Sequence, residues 1–223
     1  MPLSEDAASK EEQEVFHQVR KYCFDILQKR EFRLKDRVQM VGKLLIAMDG
    51  NPLIDIQSID LTIKHYDKDI EKSLQVVREI SSWLIDHDTS LKEYCESIIL
   101  MYDNHSINEE YVACLNHFED TFKNHEILFE KMMMNDLFFR GFPQQDFTLS
   151  YYDEYITLCA LYIFIRYISI HMMKSYDKLE NYIDILSRTF RVIAHTRFGK
   201  NMMNQLKKLK LTDFDTLGTL IQL

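Results

Sequence analysis

The chain is poor in the two residues that punctuate a fold: five glycines and three prolines stand in 223 residues. Tight turns, hairpins and bulges draw on both, so little material is present for a β-rich architecture, and long helices are favoured. Cysteine is equally sparse. Cys23, Cys95, Cys114 and Cys159 lie far apart and form no CxxC pair, whereas metal-binding thiolates come in close pairs because both must converge on one ion. They read as buried free thiols. The polar start MPLSEDAASKEEQ shows no signal peptide, so a reducing cytoplasm is the expected compartment. Also absent are GxSxG, GxxxxGK[ST] and GxGxxG, which removes nucleophile elbows, phosphate loops and dinucleotide sites.

Positive charge is in deficit overall. The net charge of −8 argues against a nucleic-acid binder, which needs a clustered basic surface. Yet from Leu186 to Leu211 there are seven basic residues (Arg188, Arg191, Arg197, Lys200, Lys207, Lys208, Lys210) and no acid. Of eight histidines, only Glu14-Val15-Phe16-His17 has the Glu-x-x-His form of a helical di-metal site, and such a site needs two of them plus further glutamates. No metal is expected. The run Tyr155 to Met173 approaches the length of a membrane span, but Arg166 lies near its middle, at a cost of at least about 2.5 kcal/mol on insertion. It reads as a buried helix, not a span.

Three S-x-x-E capping boxes announce helix starts, Ser9 to Glu12, Ser90 to Glu93 and Ser106 to Glu109. After the first, Val15, Phe16, Val19, Tyr22, Cys23, Ile26 and Leu27 repeat at three and four, predicting a helix that ends near Arg30. A second runs from Leu34 to Met48 with Val38, Val41, Leu44, Leu45 and Met48 inward, and stops at Asp49-Gly50-Asn51-Pro52. Further helical regions are expected at Ile56–Ile85 with a break near Tyr66-Asp67, Leu91–Tyr102, Ile107–Phe139 with a kink near Asn124, Ser150–Lys174, and Lys178–Leu209. A short last helix starts near Thr212. The expectation is an all-α chain: a disordered N-terminus over 1–8, then one domain over 9–223 of about seven helices around a central apolar helix at about 150–174, with a hinge at 49–52. The methionines of Lys131 to Asn135 and the run Leu137-Phe138-Phe139 read as core filling.

One stretch carries candidate chemistry, Leu186 to Lys200 (LSRTFRVIAHTRFGK). At about 100° per residue, Ile183, Leu186, Phe190, Ile193 and Ala194 share one apolar arc, while Asp184, Arg188, Arg191 and His195 cluster on a neighbouring face. Two accounts stay open. The stripe is a solvated face with an Asp184–Arg188 pair worth about 0.3 kcal/mol, or it is an anion site in which Arg188, Arg191 and His195 face a carboxylate, phosphate or acidic surface. Arg166, a charge inside an apolar helix, would supply a second wall.

The same residues resemble a family. Val19 to Arg37 (VRKYCFDILQKREFRLKDR) is similar to the R-x-x-x-I-x-I-L-Q-x-R-x-[YF]-x-L-x-x-R passage of flagellin lysine N-methylases. Phe129 to Phe139 resembles that family's E-N-Y-L-V-N helix, Tyr155 to Tyr167 its long apolar helix, and Leu186 to His195 its closing S-F-S-R-x-x-E-H signature, with Ala194 in place of the glutamate. The resemblance implies a helical C-terminal portion of a protein that transfers methyl groups from S-adenosylmethionine to flagellin lysines, inactive alone, with flagellin as protein partner. The family's cysteine-rich motif matches no residue here, so no iron–sulfur cluster is expected on this chain. The rival reading is a non-enzymatic helical interaction or regulatory module whose basic C-terminal face meets an acidic partner.

Overall fold

The computed structural model describes residues 10–87, 91–102, 107–122, 126–143, 149–172, 179–196 and 198–222. Among them there is no strand. The α-helices are α1 (Lys10–Leu27), α2 (Leu34–Gly50), α3 (Ile70–His87), α4 (Lys92–Tyr102), α5 (Ile107–Phe122), α6 (Glu126–Arg140), α7 (Tyr151–Met172), α8 (Leu179–His195), α9 (Phe198–Lys208) and α10 (Phe214–Leu220). The all-α expectation holds, with more and shorter helices than about seven. Ser9, Ser90 and Ser106 of the capping boxes, the segment 1–8, Asn124 and Arg197 lie outside the described residues.

Three of the expected helices are divided, and the one expected over Ile107–Phe139 is α5 and α6. The region expected to be helical from Ile56 is a single 3-10 turn, Ile56–Ser58, followed by non-helical backbone over 59–69. There Ile59, Leu61 and Ile63 are half-buried while Asp60, Thr62 and Lys64 are exposed, the two-residue alternation of an extended chain. Asp60 takes the backbone N–H of Thr62 at 2.9 Å, an Asx turn that competes with helix. The last long helix breaks at Thr196, whose N–H and Oγ1 both donate to the Ile193 carbonyl at 3.4 Å.

Contacts group the chain into two units, Met1–Ile63 with Leu137–Tyr155, and Lys64–Asp136 with Ile156–Leu223. The 49–52 turn lies inside the first. In that unit α1 packs on α2, burying Val19, Cys23, Ile26 and Leu27 against Val38, Val41, Leu44, Leu45 and Met48. Gly42 is where α2 meets Tyr155: a Cβ there would stand 2.3 Å from the ring. Asp49 does more than end a helix. Its carboxylate accepts the N–H groups of Tyr151 and Tyr152 at 2.8 and 2.7 Å, satisfying the open donors of the α7 N-terminus where its own charge opposes the helix dipole.

In the second unit α3 packs on α4, α9 and α10, and α8 on α9. From Ile156 to Ile165 every residue of α7 is buried, as expected of a helix apolar all round. No helix among the described residues is long and apolar enough to cross a membrane. Trp83 and Phe164 both pack on Phe198, with centroids 6.3 and 6.1 Å away. All four cysteines are free and buried. Met133 is buried, but Phe138 and Phe139 are 58% and 85% exposed, so the run expected to fill the core does so only through Leu137.

Two helix ends share one closing geometry. Past α6, Gly141 at φ +77° sends its N–H to Phe138 and Phe142 sends its N–H to Leu137. Past α9, Lys210 at φ 56° does the same to Lys207, and Leu211 to Leu206. Both are Schellman ends, in which two orphan carbonyls are satisfied and the following apolar residue, Phe142 or Leu211, is buried.

Candidate functional site

The α8 stripe stands in solvent. Among the described side chains of this helix the buried ones are Tyr182, Leu186, Thr189, Val192 and Ile193, an arc turned by roughly 80° from the expected one. Ile183 is 41% exposed and Ala194 is exposed, while Phe190 is half-buried. Tyr182 and Thr189 take their places; a buried hydroxyl is tolerated where it finds a hydrogen-bond partner, as Tyr182 does at Ser169. Arg188, Arg191 and His195 are exposed in either phase. Arg188 Nη2 lies 2.8 Å from Asp184 Oδ2, both side chains about half exposed. His195 ends the helix, at the carbonyl pole that favours a cation.

Arg166 sits elsewhere. Its side chain is 19% exposed, its Nη2 lies 3.4 Å from Glu119 Oε1, and its guanidinium rests 4.9 Å over the Phe118 ring. Phe118 in turn contacts Tyr182, centroids 6.1 Å apart, and Tyr182 belongs to the buried face of α8. The four candidates therefore form two groups: Arg166 against α5, and Arg188, Arg191 and His195 together on the outer face of α8.

Two further arginines act in a way the sequence reading did not foresee. Arg20 Nη2 and Nη1 donate to the carbonyls of Phe138 and Phe142 at 2.8 and 3.3 Å, and its guanidinium lies 4.9 Å over Phe138 and 5.5 Å over Phe24. Arg37, 2% exposed, donates to the carbonyl of Leu27, the last residue of α1. Each places a fixed positive charge at the carbonyl end of a helix. They are the first and last basic residues of the stretch that resembles the family, and both hold helix ends. Their one signal in the sequence is a basic residue among apolar neighbours at helical spacing.

Ser97 Oγ and His171 Nε2 lie 2.7 Å apart, joining α4 to α7. Glu14 and His17 are both exposed, and among the described residues no three His, Cys, Asp or Glu side chains gather as metal ligands. Two surface hollows bear on where a methyl donor with an adenine ring to bury could sit. One, about 670 Å³, is open to solvent and lined by His65, Asp67, Lys68, Asp69, Glu71 and Lys72 among others. The second, about 290 Å³, lies between α1 and residues 54–57. A cofactor of that size binds in an enclosed, largely apolar cleft, and the charged, open lining of the larger hollow does not fit one.

No curated protein and no solved structure matches this chain. The family model described as the FliB lysine N-methylase C-terminal domain matches residues 20–223, beginning at Arg20 and spanning every described helix from the second half of α1 onward. With its resembling stretch, its apolar α7 and its α8 inside that match, the chain belongs to the family of FliB lysine N-methylase C-terminal domains.

Proposed function

We propose that this chain serves protein lysine N-methylation as a recognition domain. It presents the outer face of α8 to an acidic protein partner, flagellin being the one that the resemblance names, and it transfers no methyl group by itself. The observation that supports this most is the joint exposure of Arg188, Arg191 and His195 on one helix face, in a chain of net charge −8. Exposed guanidinium groups recruit carboxylates without being needed to hold the fold. S-adenosylmethionine would be bound outside the larger hollow described above. The reading also covers a purely non-enzymatic module, which differs only in that no methylation follows the binding.

Calorimetric titration with flagellin and with S-adenosylmethionine tests it. Heat is expected with flagellin, falling as salt is raised, and none with the methyl donor. Replacing Arg188 and Arg191 together by alanine is expected to remove most of the flagellin signal. An unchanged affinity in that variant would return the stripe to being a solvated surface, and clear saturable heat with S-adenosylmethionine would move the donor site into this chain.

A further inference from the structure

We propose that Asp184 is an internal stand-in for the partner's carboxylate, and that the segment α8 receives is a helix carrying carboxylates along one edge. The proposal rests on reading the stripe as the partner-facing surface. Asp184 Oδ2 occupies Arg188 at 2.8 Å from one turn away, with both side chains about half exposed. That is an exposed i, i+4 pair, weak enough to be opened by an incoming carboxylate. A partner must displace it to use Arg188.

The spacing defines the segment. Along α8 the stripe advances by about 4.5 Å from Arg188 to Arg191 and about 10.5 Å from Arg188 to His195. Glutamates at i, i+3 and i+7 of a second helix repeat that interval. Beside the stripe, Ser187 and Ala194 are small and exposed and Ile183 is 41% exposed, leaving room for a second backbone to approach with a modest apolar contact. A small free anion suits this place poorly. The arginines are exposed to solvent, and several weak contacts spread over two turns favour a multivalent ligand.

The test uses the full chain and a fluorescein-labelled, alanine-rich helical peptide with glutamates at i, i+3 and i+7, followed by anisotropy at low and at physiological salt. Arg188→Ala with Arg191→Ala should weaken binding about fivefold or more. Asp184→Ala should tighten it about twofold. Glu180→Ala, which removes the same charge from an exposed site one turn earlier on α8, should give less than half of that gain. All substituted positions are exposed, so circular dichroism should show unchanged helicity. If Asp184→Ala gains no more than Glu180→Ala, Asp184 is not an internal ligand, although the stripe still binds. If the double arginine variant binds as before, the partner-surface reading falls and this inference with it. Equal binding of a peptide with glutamates at i, i+2 and i+5 overturns the helical edge. Displacement by inorganic phosphate beyond chloride of equal ionic strength makes the site one for small anions. Self-association strengthened by Asp184→Ala in sedimentation makes the occupant a second copy.

Discussion

Arginine has opposite fates at the two ends of this chain. In the first unit, Arg20 and Arg37 spend their donors on backbone carbonyls at the ends of α6 and α1. In the second, Arg188 and Arg191 stand exposed on α8. The difference is one of solvation. A guanidinium removed from water must recover its hydrogen bonds from the protein, and the orphan carbonyls of a helix end are the densest supply of acceptors available. A guanidinium left in water owes the fold almost nothing, so it can be committed to something that arrives. The first pair makes architecture, and the second can make contact.

Four substitutions bear on that contrast. Arg37→Met should be the most damaging, since it keeps most of the packed stem but leaves the Leu27 carbonyl without this donor. About 3 kcal/mol is expected, or about 6–12 °C in Tm for a chain of this length, read by thermal denaturation. Arg20→Ala removes two carbonyl contacts and a ring contact from a site more open to water, and should cost about 1–2 kcal/mol in a urea titration. Lys210→Gly addresses a helix end closed by backbone alone. Relieving a left-handed lysine should stabilise by about 0.5–1 kcal/mol, seen as a higher urea midpoint with unchanged slope. Arg188→Ala should change stability least, by no more than about 0.5 kcal/mol. A loss from Arg188→Ala as large as that from Arg37→Met would dissolve the distinction between the two groups.

Much of the fold could be read from the residues because its main signals are periodic. The apolar positions of α1 and α2, and the unbroken apolar run of α7, need only a count of three and four to be placed inside. The parts that escaped were set by tertiary partners. Ile59, Leu61 and Ile63 alternate too briefly to be told from a helix start, and α8 could be phased only to within a turn's fraction because Tyr182 and Thr189 satisfy a buried position as well as Ile183 and Ala194 do. The exposure of Phe138 and Phe139 has no local sequence signal, since a phenylalanine pair beside Leu137 looks like core. Of the candidate site, the exposed stripe was legible because a polar face survives an error in phase. The roles of Arg20 and Asp49 were not, because each depends on a helix end far away in sequence, 122 residues in the case of Arg20 and Phe142, and that of Arg37 was not because it depends on how α2 folds back on the end of α1.

The chain passes from one contact unit to the other three times: between Ile63 and Lys64, in non-helical backbone, and between Asp136 and Leu137 and between Tyr155 and Ile156, inside the helices α6 and α7. For anyone wishing to dissect the gene, the two seams inside helices are therefore the wrong places to cut. A fragment ending at either would expose a severed helix with its ladder of carbonyls or amides open, and the piece most worth isolating, the one bearing α8, cannot be freed at those seams without carrying such a stump.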